Sequence, residues 1–287
     1  MSKTLLLTLA TAVLISLNFI DVDINATAYA TPSYDHKEKF DPALSSLNTL
    51  DKLDAYITNK ITEKNLHAGT VEYVEAIKDA ISYRFYHGFS HLSLKDNWVA
   101  AISEKVAGYG LSCNVNPDEI MKHSCAACSQ QCIIMMEMLR RRNIDYRSVG
   151  FPHHYTIEAK LNNKWYYFDP NMEPSIPNAQ REESQWKDSA DYLKKYYDTT
   201  RFKDLDYKFG NHLAVTFGTI NEKPGHNAKR FQEATGIFSK FACCLPLVVL
   251  LYRSRNAFNR KYSFAKQNRF IQSLWLILSG NQKYKLS

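Results

Sequence analysis

Three side chains near the middle of the 287-residue sequence have the types and spacing of a nucleophilic thiol system. Cys128 opens an apolar helical pattern, His154 enters an alternating run, and Asp169 ends the next run. A thiol attacks as its thiolate, a neighbouring imidazole takes the proton, and a carboxylate holds that imidazole in place. Cys128, Cys132, Met135 and Leu139 fall on one helical stripe, which predicts a helix over 128–142 headed by Cys128. Free amides and the positive end of the helix dipole would favour its thiolate. Arg140, Arg141 and Arg142 complement the other end, and Asn143 is suited to the cap.

The base and its partner depend on strand register. Tyr155, Ile157, Ala159 and Leu161 alternate with His154, Thr156, Glu158 and Lys160, and Asn162-Asn163 is a two-residue hairpin turn. With Leu161 facing Lys164, Asp169 lies opposite Thr156, on the same face as His154 and diagonal to it. His153 then points to the other face. A slip of one residue would separate the pair.

These stretches resemble the transglutaminase-like superfamily. Cys128 and its helix ending Leu139-Arg140, followed by Asn143-Ile144-Asp145-Tyr146-Arg147, are similar to the family's cysteine-led helix and L-R-x-x-G-I-P-x-R turn. His154-Tyr155-Thr156-Ile157-Glu158 resembles its H-x-W-x-E strand, and Trp165 to Asp169-Pro170 its W-x-x-x-D-P strand. The resemblance covers about 45 residues. It implies an α+β papain-like fold, with N-terminal helices and the cysteine helix packed on one side of a small antiparallel sheet. It also implies a triad of Cys128, His154 and Asp169. Asn143, Asp145, Thr156 and Ala126 depart from the family pattern, which leaves the substrate open. For the oxyanion donor, the Cys128 amide, Trp98 and Gln130 are candidates.

The same cysteines admit other chemistry. Cys125-Ala126-Ala127-Cys128 has the spacing of a thiol–disulfide redox pair, with Cys125 as its nucleophile. Cys113, His123, Cys125 and Cys128 could form a non-catalytic zinc module. In an oxidising compartment, Cys113 and Cys125 could instead form a disulfide that pins the loop before the cysteine helix.

The elements that must position the triad are mostly helical. Leu50, Leu53, Ile57 and Ile61 predict a helix over 46–64, and a second runs from Thr70 with Val71, Val74, Ile77, Ile81 and Phe85 inward. A third opens at Ser93, capped with help from Asp96, with Val99, Ile102 and Val106 inward. Asn116-Pro117-Asp118 opens a short fourth. After Pro170, a helix is expected over 182–197 with Trp186, Ala190, Leu193 and Tyr197 inward, then a strand over 213–220.

The ends of the chain carry a different signal. Lys3, the uncharged apolar run 5–20 and Ala28-Tyr29-Ala30 read as an export signal over 1–30, cleaved after Ala30, with an uncleaved membrane anchor as the alternative reading. The catalytic domain is then 31–222 and a polar linker 223–236. A hydrophobic, basic tail fills 237–287 and is a candidate membrane anchor, the alternative being a buried helix packed on the domain with a basic end; if it anchors, a chain stopped at Gly236 should be soluble and active. The net charge is +7, yet residues 253–287 hold eight basic residues and no acid, while 31–252 balance at 27 of each sign. That distribution argues against nucleic acid as partner of the main domain. The second apolar run, 270–278 with Trp275, would lie in the membrane interface. No cofactor motif is present. Together these features predict an exported thiol enzyme acting on amide bonds of a protein, peptide or cell-wall substrate, by hydrolysis rather than cross-linking.

Overall fold

The computed structural model describes residues 3–25, 38–172, 174–188, 190–210, 215–256 and 258. The expected cleavage site at 28–30 and the apolar run 270–278 lie outside them. The chain is α+β. Helix α1 (Lys3–Leu17) is followed by α2 (Leu50–Glu63), α3 (Val71–Arg84), α4 (Leu94–Ala107) and the single turn α5 (Pro117–Ile120). Then come α6 (Cys128–Arg141) and the strands β1 (Tyr146–Phe151), β2 (His154–Leu161) and β3 (Lys164–Phe168). Short helices α7 (Glu183–Trp186), α8 (Ala190–Lys194) and α9 (Leu205–Phe209), strand β4 (Thr216–Phe217) and helix α10 (His226–Phe241) complete the order.

Local chemistry sets the helix starts. Thr49 and Thr70 accept the N–H of Lys52 and Tyr73, and Asn116 accepts that of Asp118. At α6 the exit is left-handed, with Asn143 at φ 54°. Asn162 and Asn163 both have positive φ, 50° and 65°, as a tight hairpin turn requires. That turn pairs Leu161 with Lys164 and Ile157 with Phe168, and extending the pairing sets Thr156 opposite Asp169.

The sheet is antiparallel throughout, in the order β3-β2-β1-β4. Ile157, Ala159, Leu161 and Phe168 pack with Ile134, Met135, Met138 and Leu139 of α6 and with Ile77 and Ile81 of α3. A second core of Val149, Phe151, Tyr167, Trp186, Leu193, Tyr197 and Phe209 joins the sheet to α7–α9. Helices therefore cover both faces, not the one face expected, because the loop after Pro170 carries enough aromatic residues to build its own core.

Four further sequence expectations change. Ile102 and Val106 are 40 % and 83 % exposed, while Leu94, Asn97, Ala100 and Ala101 are buried. Asn97 leaves helical geometry, with φ −161° and ψ 79°, which shifts the phase of the stripe behind it. Among the described residues, the helix expected over 182–197 is two short helices, one ending at Trp186 and the next opening at Ala190; Asp188, after the first, is of a type that competes for nearby backbone groups. Of the strand over 213–220 only Thr216–Phe217 pairs, against Val149 and Gly150, among the described residues.

The fourth change is the linker. Residues 223–236 hold most of α10, which packs on α4. Ser239 is 1 % exposed, and its hydroxyl donates to Asn97 Oδ1 at 3.0 Å and accepts the Val99 N–H at 3.1 Å. A chain stopped at Gly236 would lose that contact. Beyond α10 the chain turns at 242–243 and is helical again over 244–256. Pro246 has no N–H for the Ala242 carbonyl, and Leu245 N–H takes it instead at 3.2 Å. The whole stretch His226–Asn256 is long and apolar enough to cross a membrane, and its apolar part is mostly exposed.

Candidate active site

Cys128 is placed by the segment just before α6. Tyr86 N–H donates to the Ser124 carbonyl at 3.1 Å, and Ala126 N–H donates to the Tyr86 carbonyl at 3.0 Å. Gln130 locks the helix start from inside. Its Oε1 accepts the N–H of Ser90 at 3.0 Å and of Ala127 at 3.2 Å, and its Nε2 donates to the carbonyls of Ser90 at 2.8 Å and Asn114 at 2.9 Å. All four of its bonds are used. Trp98 Nε1 donates to the Ser239 carbonyl at 3.0 Å, which engages it on α10. Neither side chain is therefore an oxyanion donor. The Cys128 amide remains as the first N–H of α6, a group with no partner inside the helix.

His154 opens β2 and is 5 % exposed; Asp169 follows β3 and is fully buried. Their Nε2 and Oδ2 atoms are 2.6 Å apart. Asp169 Oδ2 also accepts the Tyr197 hydroxyl at 2.8 Å, and Oδ1 accepts the N–H of Asn171 at 2.9 Å and of Met172 at 3.0 Å. A carboxylate with this many donors stays ionised. Burial would raise it, but the charge and hydrogen bond of His154 outweigh burial and hold Asp169 below the ordinary range.

The imidazole also interacts with the Cys128 thiol, by hydrogen bond and by charge. Burial would push His154 down, yet the Asp169 carboxylate, and after it the hydrogen bond to Cys128, raise it to about 9. Burial would likewise raise the Cys128 thiol, but His154, by hydrogen bond and charge, and the Tyr155 backbone N–H bring it below its usual value. The two directions agree: the arrangement favours thiolate and imidazolium. Because Nε2 is engaged by Asp169, Nδ1 is the nitrogen left for the sulfur. Cys128 itself is only partly buried.

The remaining candidates go elsewhere. His153 stacks on Tyr207, with ring centroids 3.8 Å apart and planes within 4°. Cys125 Sγ lies 3.8 Å from the Phe89 carbonyl, and burial raises its thiol, the reverse of what a redox nucleophile at that position needs. Cys113 bonds to His91, whose Nδ1 is 3.1 Å from Asp23 Oδ2. The expected Cys113–Cys125 disulfide is not formed and both thiols are free, since each is drawn to a different partner on the 86–91 segment. His123 turns to Asn114, with 3.2 Å between Nε2 and Nδ2. Cys113, His123, Cys125 and Cys128 thus face four different partners, and among the described residues no group of three or more His, Cys, Asp or Glu could hold a metal ion.

Sequence reasoning missed three residues beside the triad. Tyr197 had been assigned only an inward-facing position, and its hydroxyl also lies 2.7 Å from that of Tyr167. His87, whose Nδ1 is 2.9 Å from Asn171 Oδ1, is close enough to feel the charge of His154. Asn171 in turn connects His87 to Asp169 through its own backbone N–H. Nothing in the local sequence marks them, because long-range packing alone brings them to the site.

In comparisons with known proteins, the chain matches no family model, no curated protein and no solved structure, so the resemblance to transglutaminase-like enzymes rests on its residues alone.

Proposed function

We propose that the protein is a thiol enzyme of papain-like, transglutaminase-like type that transfers the acyl group of an amide. The observation that carries this reading is the buried His154–Asp169 pair, 2.6 Å apart, whose imidazole also interacts with the Cys128 thiol. In the proposed cycle the Cys128 thiolate attacks the amide carbonyl carbon and forms a thioester as the C–N bond breaks. His154 gives its proton to the departing amine, then takes one from water as that water attacks the thioester. The acid is released and the Cys128 thiolate returns. Asp169 holds the ring in the tautomer that leaves Nδ1 facing sulfur. The Cys128 N–H points from the helix start toward the oxygen that gains charge. Water is the default acceptor, so we assign hydrolysis of a protein, peptide or cell-wall amide in preference to cross-linking.

We further place the reaction outside the cytoplasm, at a membrane surface. The apolar helical stretch ending at Asn256 and the basic residues from Arg253 onward support that placement. A thiol-reactive amide probe tests the chemistry. Labelling should map to Cys128, disappear in Cys128→Ala and persist in Cys125→Ala. Labelling that survives in Cys128→Ala and is lost in Cys125→Ala would replace this reading with thiol–disulfide exchange.

A further inference from the structure

The segment just upstream of the expected cleavage site is part of the folded body. Leu94 N–H and Lys95 N–H, two of the free amides at the start of α4, donate to the carbonyls of Val22 at 3.0 Å and Ile20 at 2.9 Å. Asn25 Nδ2 donates to the Ala101 carbonyl at 2.8 Å and to the Ser112 hydroxyl at 3.1 Å. Asp23 pairs with His91, and Asp21 with Lys95 at 2.5 Å. His91 and Ser112 are buried, at 7 % and 0 % exposure. Cleavage after Ala30 would take away all of these partners.

The same segment attaches α1 to the C-terminal helix. Asn18 Nδ2 donates to the Ser239 carbonyl at 3.3 Å, and from this junction two apolar helices leave the body. Helix α1 buries no residue fully, and Leu5, Leu6, Leu9, Val13 and Ile15 are exposed. Leu245, Leu247, Val248, Val249 and Leu251 are exposed on the other helix. Each also has one half-covered stripe at helical spacing: Leu7, Ala10, Leu14 and Leu17 on one, Cys243, Pro246 and Leu250 on the other. At about 1.5 Å per residue, Leu7 and Leu250 each lie about 16 Å along their helices from the junction. By the same rise Lys3 is about 22 Å from Asn18, and Arg253 about 21 Å from Ser239.

We infer that α1 is not removed, and that with the helix ending at Asn256 it forms an antiparallel two-helix anchor spanning a lipid bilayer. The half-covered stripes face each other, and the exposed leucines and valines face the acyl chains. Lys3, Arg253 and Arg255 meet the headgroups of the leaflet far from the body. Exposed Phe19, Ile20, Ile237, Phe238 and Phe241 continue the apolar belt toward the body. Spans of about 22 Å are short for a hydrocarbon layer of about 30 Å, which snorkelling of the three basic ends and local thinning accommodate. Positive charge at both far ends places those ends in the cytoplasm and the body on the opposite side. The inference rests on the membrane placement of the C-terminal helix proposed above and is independent of the chemistry at Cys128.

The test uses the full chain expressed in cells that export it. Mass mapping of the membrane-bound protein should recover peptides from residues 3–25; a mature protein beginning at Thr31 would overturn retention of α1. Alkaline carbonate should leave the chain in the pellet, and its recovery in the supernatant with residues 3–25 intact would overturn the anchor. In Lys3→Cys and Arg255→Cys variants, read by peptide mapping, a membrane-impermeant maleimide should label neither new thiol in sealed cells. It should label both after permeabilisation, and label Tyr109→Cys, on the exposed surface of the body, from outside. Labelling of Lys3→Cys and Arg255→Cys from opposite sides would rule out the hairpin. None of these readouts depends on activity.

Discussion

Replacing Asp169 with asparagine would remove the charge that sustains the thiolate–imidazolium pair while almost preserving volume. In the wild type the distance from the ordinary imidazole value of 6.5 to about 9 at His154 amounts to roughly 3 kcal/mol favouring imidazolium. The asparagine amide cannot reproduce this. If its oxygen faces His154 and Tyr197, its NH2 group confronts the N–H groups of Asn171 and Met172; turned round, it confronts His154 instead. Without the carboxylate, burial governs His154 and draws it below 6.5, and Cys128 loses the positive partner that lowers its own value. The assay is the rate of Cys128 alkylation by iodoacetamide across about pH 5–10, read on the Cys128 peptide, which needs no knowledge of the substrate. The wild-type rate should rise through an inflection below the ordinary thiol value, and turnover should fall again near 9 as His154 loses its proton. In Asp169→Asn the inflection should move upward, with alkylation at neutral pH lower by about two orders of magnitude, the rate equivalent of roughly 3 kcal/mol. The sign for stability follows from the raised value. His154 contributes fully below 6.5, and that contribution is lost as pH rises through about 9. Identical alkylation profiles in the two proteins, both folded by thermal melting, would refute the coupling of Cys128 to His154 and Asp169.

Two further substitutions test what holds the site. Tyr197→Phe removes a hydrogen bond to the Asp169 carboxylate and should cost about 1–2 kcal/mol of stability, with a roughly tenfold loss of Cys128 reactivity at neutral pH; wild-type melting and alkylation would show that the hydroxyl is not coupled to the pair. Gln130→Ala leaves buried groups of Ser90, Asn114 and Ala127 without partners and should lower stability by about 3 kcal/mol or more, seen as a lower denaturant midpoint. A normally stable Gln130→Ala that binds substrate but does not turn it over would return this residue to the oxyanion role denied it above.

Residues close in sequence were the legible part of this protein. The α6 stripe, the helix starts at Ser93 and Asn116, and the Asn162-Asn163 turn each depend on spacings of a few residues, which the backbone converts directly into geometry. The turn set the strand register, and with it the shared face of His154 and Asp169, because strand side chains alternate with a period of two. Groups that meet across long stretches of chain were not legible. Tyr197 reaches Asp169 only because a second core covers the far face of the sheet. Gln130 is a clamp rather than a donor because the chain at Ser90 and Asn114 passes beside it. Residues 223–236 looked like a linker from their polarity, and they fold into α10 because α4 offers Asn97 and Trp98 as partners. Residues 20–25 likewise carry no pattern of their own, yet their carbonyls and side chains complete α4 and His91. Sequence alone determined the α6 helix, the hairpin turn with its register, and which groups could react; only the tertiary structure decided which donors meet which acceptors, since burial makes each of those groups find a partner wherever the packed chain supplies one.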